Sequence, residues 1–268
     1  MSARDYTLTV PDTACTAVDL LAARSGLSRS RIKDAMAKGA VWLRRGSKEK
    51  RLRRATAPLM RGDVLSLHYD EKVLAAVAAD PTLLADERQY SVWIKPAGVL
   101  AQGTRTGDHC ALLRLVEAKL GRETFLVHRL DREAAGLMLI AHNAKAAAAL
   151  SDLFARRQLE KTYRVDVRGR LPETGQFDAP LDGKPSRTTY HCTHYDADSD
   201  CSTALVQIES GRKHQIRRHF ADAGFPVLGD PRYGQFNSDS RGLRLAAIEL
   251  RFRCPLSGRE RHYQWRSQ

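Results

Sequence analysis

Apolar and polar positions follow two different regimes along this chain. In the first, Tyr6 to Val10 reads YTLTV, an alternation that stops at Pro11 and suits a short edge strand. Thr16 to Ala23 is rich in Ala and Leu and predicts a helix closed by Gly26. Ser28 is a good N-cap for a second helix, SRSRIKDAMAKG, which ends at Gly39. Its apolar positions Ile32, Ala35 and Met36 share one face, and Arg29, Arg31, Lys33 and Lys38 lie mostly on the rest. Ala40 to Leu43 (AVWL) predicts an apolar strand, and Gly62 to Tyr69 (GDVLSLHY) alternates as a closing strand. Residues 1–70 thus predict a small helix–helix–strand domain, and residues 71–82 a linker containing Ala, charges and one Pro.

From Leu83 the second regime begins, of strands with interspersed helices. LLAD and YSVWIKP predict paired strands, and Lys95-Pro96-Ala97-Gly98 the exit turn. His109 to Leu120 and Ala144 to Leu159 predict helices. The short apolar run Leu137 to Ala141 predicts a buried strand. TYRVDVRG, Thr188 to Tyr195, Ser202 to Glu209 and Leu243 to Phe252 predict further strands, with a helix over Lys213 to Ala223. This order predicts an α+β fold with a large mixed, mainly antiparallel sheet flanked by helices over residues 83–268.

Charge adds a partner to this picture. Lys and Arg total 44 against 31 Asp and Glu, a net charge of +13. Such a surplus favours a polyanion, with nucleic acid first. No basic amphipathic helix with a bulky aromatic face supports a membrane partner. Between Arg44 and Arg54 the stretch RRGSKEKRLRR carries seven bases and one acid, with a turn expected at Gly46-Ser47. A charge run is most often a solvated loop. Here the basic helix adjoins it, so Arg29, Arg31, Lys33, Lys48, Lys50 and Arg51 are expected to form one RNA-binding surface. The five cysteines form no CxxC pair and read as thiols of a reducing compartment. With no apolar leader or span in view, a cytoplasmic monomer without metal or cofactor is expected.

Four clusters could carry chemistry. They are His128-Arg129-Leu130-Asp131-Arg132, Lys161-Thr162-Tyr163, Gly211 to His219 (GRKHQIRRH), and Gly229 to Gly234 (GDPRYG). An Asp between Arg129 and Arg132 can be held charged and aimed, because nearby cations favour the carboxylate. Singly, each cluster has an ordinary explanation: a salt-bridged Asp131, a core Tyr163, a turn at Gly229. His214 and His219 lack a third ligand at suitable spacing, and the flanking cations oppose a metal ion. No Walker, GxGxxG or GxSxG pattern occurs.

Together the clusters resemble the RluA family of pseudouridine synthases. The matching stretches are WIKPAG (93–98), HRLDRE with GLMLIA (128–141), EKTYRVDVRG (160–169), GRKHQIRRHF (211–220) and GFPVLGDPRYG (224–234), in family order. LSRSRIKDAMAKGAVWL (27–43) and GDVL (62–65) resemble an S-four-type RNA-binding domain, which that family can carry ahead of its catalytic domain. The resemblance implies isomerisation of uridine in RNA to pseudouridine. The N1–C1′ bond breaks, the uracil turns, and C5 joins C1′. Asp131 matches the family's catalytic aspartate, either as nucleophile at C1′ or as base toward a sugar proton. Arg217 is expected to pair with Asp131, and Tyr163 to stack on the base. Arg129 is expected to enter the RNA stack as the nucleotide flips. Leu139 and Ile216 are expected to wall the uracil pocket. The S-four-type resemblance favours ribosomal RNA over transfer RNA as substrate. Competing readings are a non-catalytic RNA-binding or ribosome-assembly factor on the same fold, and a nucleoside-bond hydrolase. The chain departs from the family at Ala134-Ala135, where Thr-Ser is usual, at Leu100 to Gly103 after the lysine-proline motif, and at Lys213, where Thr is common.

Overall fold

The two regimes become two compact units in a computed structural model that describes residues 3–12, 15–234 and 239–266. One unit comprises residues 1–78 with 102–119, the other 79–101 with 120–268. The first carries β1 (Arg4–Thr9), α1 (Ala17–Ser25), α2 (Arg29–Ala37), β2 (Val41–Arg45), β3 (Lys48–Arg51), β4 (Val64–Tyr69), α3 (Glu71–Ala75) and most of α4 (Leu112–Leu120). Its antiparallel sheet has the order β1-β4-β2-β3. Thr16 caps α1 by accepting a hydrogen bond from the Asp19 N–H, and Ser28 caps α2 by accepting one from Arg31 N–H. Ile32, Ala35 and Met36 of α2 are wholly buried and join Val41, Leu43, Leu65 and Leu67 in one core. The arginine-rich stretch turns at Gly46-Ser47 between β2 and β3.

Residues 102–119 lie within the sequence expected to form the catalytic domain, yet they fold with the first unit. Directional polar contacts hold them there. Arg51 and Arg53 both reach the Asp108 carboxylate. Trp42 Nε1 donates to Arg105 O at 3.0 Å, and Arg105 pairs with Glu49 at 2.9 Å.

The second unit carries β5 (Thr82–Asp86), β6 (Tyr90–Lys95), β7 (Phe125–Leu126), β8 (Ala135–Ala141), α5 (Ala144–Ala155), β9 (Leu159–Arg168), β10 (Thr174–Phe177), β11 (Thr188–Asp196), β12 (Cys201–Ile208), α6 (Gln215–Asp222), β13 (Leu245–Arg253) and β14 (Glu260–Gln264). They form a ten-stranded sheet with the path β10-β11-β12-β9-β13-β8-β6-β5, while β14 pairs with β13 and β7 with β8. Only β8 and β13 pair in parallel among the described strands. Two apolar cores result. One gathers Tyr163, Val165, Val167, Ile216 and Phe220; the other gathers Leu137, Leu139, Leu150, Leu159 and Phe252.

Some elements differ from expectation. The helix expected to reach Leu159 stops at Ala155, because Arg157 takes a left-handed φ of 58° and Leu159 opens β9. The helix expected from His109 begins at Leu112. Strands β10 and β14 were not anticipated, since TGQF and ERHYQ carry too few apolar residues for a buried-strand signal. Gly136 is required where the parallel pair begins. Its φ is +123°, and a Cβ there would meet Ala247 O at 2.3 Å. No described helix is long and apolar enough to cross a membrane.

Candidate active site

The loop before β8 presents Asp131, and α6 presents Arg217 from the other side of the sequence. Arg217 is 1% exposed. Its Nη1 donates to Asp131 Oδ2 at 3.1 Å. Its other edge is occupied: Nε and Nη2 donate to the two oxygens of Asp230 at 2.7 and 2.8 Å. This bidentate fork fixes the guanidinium plane, so Nη1 is aimed before any substrate arrives. Asp230 also accepts hydrogen bonds from the backbone N–H groups of Arg232 and Tyr233. Burial alone would raise its pKa, but those bonds, led by Arg217, hold the carboxyl below the usual carboxylate range. The Tyr233 ring packs 5.3 Å from the Arg217 guanidinium.

Asp131 Oδ1 has a different environment. Its near neighbour is His214 Nε2 at 3.8 Å, beyond hydrogen-bond length. His214 sits just before α6 with a left-handed φ of 55°, and its Nδ1 pairs with the Tyr233 hydroxyl at 3.0 Å. Burial lowers the His214 pKa, and the Asp131 charge offsets part of that. The two carboxylate oxygens are therefore unequal: Oδ2 is gripped and Oδ1 is available.

The loop carrying Asp131 is itself clamped. Lys95, fully buried at the end of β6, donates from Nζ to the carbonyls of Pro96, Val99 and Arg132 at 2.9, 2.7 and 3.2 Å. Gly98 N–H also donates to Arg132 O at 2.8 Å, and Arg132 Nε donates back to Gly98 O at 3.1 Å. Burial pushes the Lys95 ammonium down to about 8, against the opposing pull of Glu133 and Asp131. Ala134 is buried in the core beside Tyr163, so this departure from the family pattern fills an apolar position.

A cleft of about 1000 Å³ opens beside this centre. Tyr163 lines it from β9, and burial followed by the Asp131 charge pushes the phenol pKa up. Five basic residues line it, Arg129, Arg157, Lys161, Arg187 and Arg212, against two acids, Glu160 and Glu209. Arg187 is paired with Glu209 at 3.1 Å. Exposed Arg129 makes no ion pair with a described residue. Asp131 is not itself among the lining residues.

Other residues singled out in the sequence behave differently, His128 at the cleft wall and the rest not among its lining residues. His128 is not a cation: its Nε2 accepts from Leu139 N–H at 2.9 Å, and burial pushes its pKa down to about 3. Leu139 lies in the core with Val92, Ala146 and Leu150, and does not line the cleft. Ile216 packs in the core with Tyr163 and is likewise absent from the lining. Arg51 is not an open cation for RNA. It reaches Asp108 at 3.0 Å and Thr104 O at 2.7 Å, and stacks 4.3 Å from the Trp42 ring. Lys33, Lys48 and Lys50 are exposed without ion pairs to described residues, while Arg29 and Arg31 meet Asp19 and Glu71 at 2.6 and 3.5 Å. His219 uses both ring nitrogens inside the protein, toward Thr188 Oγ1 and Ala179 O at 2.9 Å each. Among the described residues no cluster of His, Cys, Asp and Glu is placed to hold a metal ion.

Asp230 and Lys95 were missed as site residues. A faint signal existed for each: an Asp two and three residues before free backbone N–H groups in a turn, and a single Lys ending an apolar strand.

A carboxylate aimed by a buried arginine, next to a cationic cleft walled by a tyrosine, suits an enzyme acting on a polyanion. The family model for RNA pseudouridylate synthase matches residues 89–222, and the chain belongs to that family, in its RluA-type branch. It is an RNA pseudouridine synthase. An uncharacterized RNA pseudouridine synthase of Chloroflexus aurantiacus is 33% identical over 266 residues, covering 90% of this chain and 82% of the relative. The dual-specificity RNA pseudouridine synthase RluA of Vibrio parahaemolyticus is 33% identical over 186 residues, covering 61% and 74%. In fold, the human RNA pseudouridylate synthase domain containing 1 is similar with a TM-score of 0.60 at 21% identity, covering 70% of this chain and 83% of that one. The α+β architecture, a large mixed sheet flanked by helices, is the pseudouridine synthase fold.

Proposed function

We propose that this enzyme isomerises a uridine of structured ribosomal RNA, with Asp131 as the reacting carboxylate. The observation that carries the role of Asp131 is its asymmetric grip: Arg217 holds Oδ2 at 3.1 Å while Oδ1 has no hydrogen bond to a described residue. A carboxylate bonded on both oxygens would be a poorer nucleophile and base. In the reaction the N1–C1′ bond breaks, the C5–C1′ bond forms, and the proton lost from C5 is balanced by one gained at N1. Asp131 Oδ1 either bonds to C1′ or removes a sugar proton. Tyr163 stacks on the extruded base. Arg129, exposed at the cleft and without an ion pair to a described residue, fills the gap the base leaves in the RNA.

Residues 1–70 act, in this reading, as an S-four-type RNA-binding domain. The exposed Lys33, Lys48 and Lys50, with Arg29 and Arg31 in surface pairs that a phosphate can displace, support it. That domain favours ribosomal RNA. The test is to map pseudouridines in ribosomal and transfer RNA from cells with the protein, without it, and with only the Asp131→Asn variant. The expected result is loss of a ribosomal pseudouridine that the variant does not restore. Loss confined to transfer RNA would overturn the substrate, and restoration by the variant would overturn the role of Asp131.

A further inference from the structure

Lys161 is a charged group of the cleft for which the proposed chemistry has no use, and it lies on the same strand as Tyr163. Leu159, Lys161, Tyr163, Val165 and Val167 share one face of β9, because side chains alternate along a strand. Leu159 belongs to one apolar core, and Tyr163, Val165 and Val167 belong to the other. Lys161 therefore occupies the break between the two cores, where the cleft opens. An apolar residue there would join the two cores. Instead the chain places an ammonium, 5.4 Å from the Phe154 ring, with no ion pair or hydrogen bond to any described residue. Burial lowers its pKa, and no carboxylate counters that. A half-buried cation without a partner is unfavourable in the empty protein, and it becomes favourable when an anion enters.

We propose that Lys161 is a positioning residue that seats a phosphodiester of the target nucleotide, so that its base meets Tyr163. The proposal rests on the reading of this cleft as the uridine site. The spacing fits: Lys161 and Tyr163 are one strand repeat apart, roughly 7 Å, a reach comparable to that from a nucleobase to its own backbone. The lining is also net cationic, so an RNA strand entering it meets a favourable field along its length. Lysine suits the task, as a compact point charge on a flexible stem.

The test compares wild type with Lys161→Met, Lys161→Gln and Lys161→Arg, each checked by thermal melting. Binding is read with fluorescein-labelled oligo(U) across a salt series, and turnover by tritium release from transcribed ribosomal RNA labelled at uracil C5. Removing the charge is expected to weaken oligo(U) about tenfold and to reduce the slope of log K against log salt by about 0.7, the single-strand value for one phosphate contact. KM should rise with kcat within about twofold, and Lys161→Arg should restore both slope and KM. An unchanged slope and KM in Lys161→Met or Lys161→Gln would overturn the proposal. So would a loss of kcat that Lys161→Arg leaves unrescued and that comes with a displaced pH profile, which would place the amine in proton transfer. The same salt series in an Asp131→Asn background separates the two readings, since that variant loses turnover through Asp131 while Lys161 still sets the slope.

Discussion

Asp108 in the first unit and Asp131 in the second both meet arginines, but in opposite proportions. At Asp108, Arg51 and Arg53 converge on one carboxylate whose side chain is 14% exposed. At Asp131, one arginine is divided among acids. Arg217 gives two hydrogen bonds to Asp230 and one to Asp131, with Glu133 at 3.5 Å. The first arrangement joins a loop to a hairpin: two arginines on Oδ2 more than balance the one carboxylate, and Oδ1 is buried away from any reactant, without a hydrogen bond to a described residue. The second holds Asp131 in place while most of the arginine's charge is already balanced by Asp230. The number of acids per arginine, more than the presence of arginines, separates a tie from a reactive group. The cations nearest Asp131 in the chain play neither part: Arg129 faces the cleft and Arg132 is bound to Gly98 O.

Breaking the shared arginine should have the largest effect. Arg217→Met leaves the Asp230 carboxylate buried without its partner, and a loss of about 3–5 kcal/mol in stability is expected in denaturant melts. Arg217→Lys should fold, yet lower kcat at least about a hundredfold, because one ammonium cannot serve both acids in fixed directions. Retention of wild-type kcat in Arg217→Lys would contradict the importance of the fork.

Asp230→Asn tests the division of charge itself. Asn keeps the shape and accepts from one side, so destabilisation of about 1–3 kcal/mol is expected. The released arginine charge should then fall on Asp131 and depress kcat roughly tenfold or more. Destabilisation without a kcat change would make Asp230 a purely structural partner.

Lys95 sharpens the contrast through pH. Its pKa of about 8 lies below the ordinary lysine value, so the unfolded chain binds more protons between those two values. Stability from this group is thus present above the ordinary value and is lost as pH falls through about 8. Activity should run the other way. Above pH 8 a neutral amine has two hydrogens for three carbonyls, and the loop that carries Asp131 loosens. An alkaline fall in kcat near pH 8, without a fall in melting temperature from this group, is expected, and Lys95→Arg should move that limb upward. A limb unmoved in Lys95→Arg would assign it to another group.

Asp108→Asn should have the smallest effect. About 1 kcal/mol of the first unit's stability is expected to go in a melt, with kcat within about twofold.

Much of this contrast was invisible in one dimension. Sequence pattern placed α2, β8, β9 and β12 close to where they lie, because α2, β9 and β12 pair a regular apolar face with clear caps or turns and β8 is a short run of apolar residues buried on both faces. The partnership of Asp131 with Arg217, 86 residues apart, was expected only through the resemblance to a family. Periodicity could not supply it. Asp230 stayed hidden because GDPRYG reads as a turn, and nothing local says that a turn carboxylate faces a buried arginine. Leu139 lies wholly buried in a core, and an apolar strand residue identifies a core but not which part of it a ligand reaches. Arg51 looked like a free cation because its partners, Thr104 and Asp108, lie more than fifty residues away in a segment expected to fold with the other unit.

The most direct test is tritium release from RNA labelled at uracil C5, in single turnover, with Asp131→Asn and Asp108→Asn beside the wild type. Asp131→Asn should bind the RNA and melt like the wild type, yet release no tritium above background, while Asp108→Asn should release it at nearly the wild-type rate. Release by Asp131→Asn at the wild-type rate, or equal losses in both variants, would contradict the assignment of Asp131 as the reacting carboxylate.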